Sequence, residues 1–365
     1  MEMLPREDKI NPRQFAAIGF MSILSPMVRG IPAETAEAAG TGAWLSVILA
    51  AAPLAVAVYF LCLLAGKRRG MAAALAQALG SFCGRLFLFF YALWFLFLAA
   101  FILRTGADRF ISTIYPGSGP QVFVIVMLLA CLPAAMGSLK AIGRASMIFR
   151  PVLLIVLALI FAFALPKTQL TGLWQISGED EIGIMRGSLS VVGPMCMCLY
   201  LAFAGDQTTE RVKPTLLLVW LGIALLIAEL LCVSTIGAFG AEMAGQLRNP
   251  FFAMVRDMSF FGSIERIDAV IVAIWVFSDF VLISLLLFFA AKTVRFIFSI
   301  QAEEGRARAV ALICAAVALI AALLMAKDAI ALDGITQTVV PPLTWLFVFI
   351  LPPLVLLVGR LRGKL

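Results

Sequence analysis

The sequence predicts an all-α polytopic membrane protein of about ten transmembrane helices, arranged as two inverted halves of five. Three observations carry that prediction. First, 63% of the 365 residues are hydrophobic and only 13% are charged, and mean hydropathy is +1.05, which leaves too little polar surface for a water-soluble domain. Second, long apolar runs recur along the chain, each close to the ~20 residues needed to cross the hydrocarbon layer. Third, the first helix of each half carries proline and glycine where the bilayer midplane falls. Irregular backbone at that depth survives only where protein or a water-filled cavity satisfies its polar groups.

The expected spans are 13–34, 43–65, 85–107, 120–138, 148–166, 184–204, 214–238, 267–291, 308–326 and 340–358. They form one permease-like domain, 13–358, between an N-terminal segment 1–12 and a tail 359–365. The first repeat covers about 13–166 and the second about 184–358. An odd number of helices per half inverts the second copy. No sequence repeat links the halves, so the inference rests on a shared pattern: a broken first helix, then four continuous ones. That is the inverted-repeat logic of the LeuT-type fold, in which broken helices 1 and 6 aim helix ends and free backbone groups at a ligand.

The first break lies in the stretch from Gln14 to Gly42, which carries Ser25-Pro26 and then Gly30-Ile31-Pro32. Proline removes a backbone donor and clashes with the preceding turn, and glycine lowers the cost of leaving helical geometry. The second lies between Ile184 and Phe203, with Gly193-Pro194 near its centre. Either alone also reads as an ordinary kink, because both residues are commoner in transmembrane helices than in soluble ones. Recurrence at matching positions points to a site. Free amides near Pro26 to Gly30 suit a carboxylate, and free carbonyls around Gly193 suit an ammonium. A small zwitterion such as an amino acid fits both, although uncharged osmolytes and ions also fit.

Charge sets the topology. With the N-terminus in the cytoplasm, 19 lysines and arginines fall inside and 8 outside, and Arg29 lies in the membrane. The positive-inside rule therefore puts both termini in the cytoplasm, with the acidic run Glu179-Asp180-Glu181 outside. The net charge of +7 sits in short loops, so it reads as a topology signal and not as a nucleic-acid surface. The polar opening MEMLPREDKI has no cleavage site after a short apolar core, so the first helix is expected to be a retained anchor. Histidine is absent, which removes the commonest metal ligand and the usual proton switch. The seven cysteines lie in or beside apolar segments and read as packing residues. Cys196-x-Cys198 lacks a second ligand pair, so neither metal nor other cofactor is expected. No nucleotide-binding loop or catalytic triad is visible, so the chain does not read as an enzyme.

Ionisable residues within spans are costly and mark candidate sites. Arg29, beside the first break, reads as a hook for a carboxylate, as a partner for a buried acid, or as an arginine snorkelling outward and neutralised by Glu34. Asp279, after Ser278 in span eight, reads as a cation or amine ligand, a proton relay or a structural hydrogen-bonding group. Glu229 in span seven is equally deep and reads as a partner for Arg29 or a hydroxyl. The aromatic run at 87–97 reads mainly as packing, but Tyr91 and Trp94 stay candidates because the third helix lines the site in this fold. The stretch 239–266, with Phe251, Phe252, Met254 and Val255, is expected to form an amphipathic helix over the outer mouth, as a lid or a cap.

Several stretches resemble the B subunits of spore germinant receptors, the GerAB-type permeases of the amino acid–polyamine–organocation superfamily. They are INPRQ before span one, PAETAEAAGTGAWLSVILA (32–50) with its AG-x-x-AWLS pattern, and Arg109-Phe110-Ile111 followed by Tyr115-Pro116. Ser263-Ile264-Glu265-Arg266-Ile267-Asp268 with Trp275 adds to them. The similarity spans essentially the whole chain. It implies a ten-helix LeuT-like protein of the inner spore membrane that senses nutrients, typically amino acids, with an A subunit and a lipoprotein C subunit. Ligand binding would then bias a conformational equilibrium passed to those partners and drive no net uptake. The resemblance puts the ligand at the first-helix break (Ser25, Pro26, Gly30), the sixth-helix break (Gly193, Pro194) and Ser278. Arg29 is a departure from that pattern. An ion-coupled amino acid transporter using Asp279, and a structural subunit with a vestigial pocket, remain as other readings.

Overall fold

The computed structural model describes residues 9–66, 70–113, 117–168, 173, 181–257, 268–300 and 303–363. Helix dominates them, and they contain no strand beyond a single β-bridge. The acidic residues Glu179 and Asp180, the Tyr115-Pro116 pair and the run 263–267 lie outside the described residues.

α1 (Pro12–Ala39) starts at a capping box, with Asn11 accepting from the Gln14 amide and the Gln14 side chain accepting from the Asn11 amide. Those two bonds satisfy donors that a helix start otherwise strands. Ile10, just before the cap, donates to the Gln207 carbonyl and accepts from the Thr209 amide, both at 2.9 Å. α2 (Ala43–Gly66) follows a one-turn 3-10 link, and the AG-x-x-AWLS stretch there has a packing role. Ser46 donates to the Ile184 carbonyl at 3.0 Å, and a Cβ on Gly183 would sit 2.5 Å from the Ala38 carbonyl oxygen. Only small residues let that hairpin close on α7 (Glu181–Met195).

Ten crossings emerge among the described residues. Eight stretches are long and apolar enough to span, and the first of them, Pro12–Ala65, has 54 residues. At 1.5 Å per residue that is roughly 80 Å, more than two hydrocarbon layers of about 30 Å, so it counts as α1 plus α2. α5 (Pro120–Met136) adds the tenth. The others are α4 (Ser81–Thr113), α6 (Leu139–Ala164), α7 with its continuation, α8 (Pro214–Phe239), α11 (Asp268–Ile297), α12 (Glu304–Leu324) and a composite last span. That composite joins α13 (Ala329–Thr338), α14 (Val340–Trp345), a π-helical turn at Leu346–Ile350 and α15 (Leu351–Leu361). α3 (Gly70–Leu79) is too short to cross and packs against α4 and α15. The expected amphipathic cap is present as α9 (Ala241–Gln246) and α10 (Pro250–Arg256), and Phe251, Phe252, Met254 and Val255 are all buried.

The two helices expected to be broken take different forms. α1 stays helical through Pro26 and Pro32, so its interruption is not a stretch of unwound backbone. It is a spliced hydrogen bond: the Ser278 hydroxyl accepts from the Ser25 amide at 2.8 Å and donates to the Met21 carbonyl at 2.7 Å. A side chain inserted in the i→i−4 ladder is a recognised cause of helix bending. α7 instead ends at Met195, and a 12-residue 3-10 stretch, Cys196–Gln207, completes the span. Runs beyond three or four residues are uncommon and often mark hinges.

Candidate ligand-binding site

Below the middle of α1 lies a buried polar cluster built from α1, α4 and α11. Arg109 on α4 pairs with Asp279 on α11 and donates to the Ser25 hydroxyl at 2.8 Å. Arg109 is 5% exposed and Asp279 1%, so neither charge is solvated by bulk water. Pairing offsets the desolvation, and removing one partner strands the other. The Trp275 ring, 5.2 Å from the Arg109 guanidinium carbon, adds a cation–π contact. Gly106 makes room for this arrangement, because a Cβ there would meet Met127 at 2.9 Å and Asp279 Oδ2 at 3.3 Å.

A cavity of about 250 Å³ opens beside this cluster, toward the face where α1 ends. Its lining is polar and carries both signs of charge: Arg29, Glu34, Asp108, Arg109, Arg248 and Asp333 all contribute. Arg248, between α9 and α10, spans its mouth. It pairs with Asp108 on α4 at 2.6 Å and with Asp333 on α13 at 3.0 Å. Among the described residues, Arg29 is the one lining arginine with no carboxylate within ion-pair distance. Its guanidinium carbon lies 5.2 Å from the Phe101 ring centroid, which holds the cation without neutralising it. Gly30 leaves room for the Glu34 carboxylate, since a Cβ would sit 2.8 Å from Glu34 Oε1.

The opposite face is shut by Lys292 on α11. Its ammonium donates to Asp206 at 2.6 and 2.9 Å and to the Phe203 carbonyl at 2.9 Å. That bond serves one of the carbonyls of the 3-10 stretch. Gly70 adopts φ +63°, and its missing side chain leaves space 2.8 Å from Asp206 Oδ1. Any larger residue there would be strained and would crowd the latch.

The sequence-derived candidates thus divide. Ser25, Pro26, Ser278 and Asp279 meet at the centre of α1, and Arg29 and Gly30 line the cavity one turn further along. Tyr91 and Trp94 lie apart from them. They precede Arg109 on α4 by 18 and 15 residues, roughly 27 and 23 Å along the axis. Tyr91 donates to the Phe347 carbonyl at 2.8 Å, and Trp94 donates to the Tyr200 hydroxyl at 2.6 Å and stacks on Phe347. Gly193 and Pro194 mark the change of helix type and do not line the cavity. Glu229 does not join the Arg29–Asp279 region and makes no hydrogen bond or ion pair among the described residues. Sequence reading missed Arg109 and Arg248 as site groups, assigning both to outer loops. The signal for Arg109 was available: no proline interrupts the chain from Ser81 to Tyr115, so the helix carries its charges inward past residue 107.

Comparison with known proteins matches this architecture. The Spore germination protein family model matches residues 9–330. Comparison with curated protein sequences gives no significant match. Among solved structures, Mhp1, a nucleobase-cation-symport-1 family transporter in a closed conformation with bromovinylhydantoin bound, is similar at TM-score 0.71 and 14% identity, covering 98% of this chain and 80% of its own. MhsT in complex with L-phenylalanine gives 0.64 and 13%, covering 96% of each chain. A substrate-bound, outward-open Na+-coupled sialic acid symporter gives 0.63 and 16%, covering 94% of this chain and 80% of its own. Identities this low show the fold alone, the LeuT fold of ten helices. With the family match covering most of its length, the chain belongs to the spore germination permease family.

Proposed function

We propose that this protein is the B subunit of a spore germinant receptor, which binds an amino acid in the cavity beside Arg29 and signals through partner subunits. The observation that carries the reading is Arg29: a guanidinium facing a polar cavity with no carboxylate within ion-pair distance among the described residues. It receives the ligand carboxylate as a charge-assisted, bidentate pair, and Glu34, whose carboxylate lies over Gly30, receives the ammonium. Gly30 and Arg109 line the same cavity, and Ser25, Pro26, Ser278 and Asp279 lie behind it around the Arg109 guanidinium. The site is sealed by Arg248 on one face and by Lys292 on the other.

Sensing is favoured over ion-coupled transport by Asp279. A coupling carboxylate needs an exchangeable cation, and Asp279 already holds a tethered one, Arg109. A nutrient that binds one closed or open state better than the other shifts the equilibrium between them, and only that difference drives signalling. The A subunit and the lipoprotein C subunit receive the shift in the inner spore membrane, with both termini of this chain cytoplasmic.

Purified protein in proteoliposomes tests the reading by pairing amino-acid binding with uptake of the same labelled ligand. Saturable binding with no accumulation under either a proton or a sodium gradient is expected. Arg29→Ala is expected to weaken binding by about 10- to 100-fold, the range of a hydrogen bond to a charged group at roughly 1.5–3 kcal/mol. Gradient-driven accumulation would overturn the receptor reading and make the protein an amino acid transporter.

A further inference from the structure

Glu229 is a partly buried ionisable group that the proposed site does not use. It lies on α8, ten residues before the C-terminal end at Phe239, roughly 15 Å inside a span at 1.5 Å per residue. Its Oε2 is buried without a hydrogen-bond partner, and no cation approaches it among the described residues. Residues three and seven positions earlier share its side of the helix. These are Leu226, 60% exposed, and Gly222, where a Cβ would meet nothing within 4 Å. Glu229 therefore borders the outward face of α8, at a depth where water cannot serve its carboxyl group. Small residues allow close helix approach in a membrane, and polar groups act as the adhesive between helices. A residue of this kind within a span marks a function and requires a partner.

We infer that the Gly222–Leu226–Glu229 face of α8 docks a transmembrane helix of a different protein chain, which presents a basic or amide side chain to the Glu229 carboxyl group at mid-membrane depth. A second copy of this chain does not fit. Two copies related by symmetry would set acid against acid, and Arg150 on α6 is already held on the Trp220 ring at 4.2 Å. Gly222 supplies the close approach, Leu226 the apolar contact and Glu229 the register.

Photo-crosslinking of the full chain in its own host membranes tests this, with benzoylphenylalanine replacing Leu226 and adducts mapped by mass spectrometry. The expected product is one protein adduct, at a transmembrane peptide that carries Lys, Arg, Asn or Gln. Adding Glu229→Leu is expected to cut its yield by roughly tenfold, the size of a membrane-buried polar contact, whereas Glu229→Gln retains most of it. The same probe at Ile313 on α12, 64% exposed, is expected to capture lipid only. Adducts with lipid alone at Leu226, an adduct mapping to a second copy of this chain, or a yield unchanged by Glu229→Leu would each overturn the inference. The identity of the captured chain tests the receptor reading separately. A chain other than a receptor subunit leaves the surface standing and counts against that reading.

Discussion

Pro26 at the centre of α1 and Pro194 at the end of α7 each remove a backbone donor, yet the two spans respond differently. Around Ser25 the neighbouring α11 delivers a hydroxyl, and Ser278 splices itself between the Ser25 amide and the Met21 carbonyl. The helix can then stay α-helical while its ladder is open. Around Gly193 a built Cβ meets no other described residue's side chain within 4 Å. α7 instead tightens into a 3-10 stretch, and Lys292 from α11 serves the Phe203 carbonyl along it. The two spans thus differ in the polar group that meets the backbone near the proline. Here α11 supplies both of them, Ser278 for the first half and Lys292 for the second, 14 residues apart.

Breaking the α1 side should have the largest effect. Asp279→Ala removes the carboxylate that neutralises the buried Arg109 guanidinium, and is expected to lower stability by about 3–5 kcal/mol, read as thermal unfolding in detergent. The double replacement Asp279→Leu with Arg109→Met should recover most of that loss. A single variant no worse than the double would show that the pair is not what holds α4 to α11. Ser278→Ala comes next, because it strands an amide and a carbonyl of α1. An expected cost of about 1–3 kcal/mol should appear with faster hydrogen exchange at Ser25, and Ser278→Thr should lose less.

On the cavity mouth the effect on stability should be smaller. Arg248 is 37% exposed, and partly solvated pairs contribute about 0.2–1 kcal/mol each. Arg248→Ala should therefore barely change unfolding, yet it should speed the labelling of a cysteine placed at Thr105 by a water-soluble thiol reagent. Unchanged labelling would show that Arg248 does not close the mouth. The smallest effect is expected on the α7 side. Gly193→Leu projects into open space away from the cavity, so amino-acid affinity should be retained; loss of binding would return the sixth-helix break to the site.

Composition and the spacing of apolar runs were enough to specify ten crossings in an all-α membrane fold. Each span buries its own backbone hydrogen bonds, so its existence is a local property of about twenty residues. Proline and glycine placement marked both special helices for the same reason, since a lost donor is local. The AG-x-x-AWLS and Arg109-Phe110-Ile111 stretches carried the family resemblance without revealing what they do. Only the tertiary structure decided which charges meet. Asp279 was legible as a buried acid, but its partner lies 170 positions away, and Arg29 and Glu229 were equally eligible by depth. Arg248 read as a loop charge until α9, α10 and α13 folded over the cavity. Tyr91 and Trp94 share α4 with Arg109 but sit more than 20 Å from it by helical rise, so belonging to a site-lining helix did not make them site residues. Depth along a span can be counted from sequence, whereas the direction a side chain faces and the group it meets depend on how the helices pack.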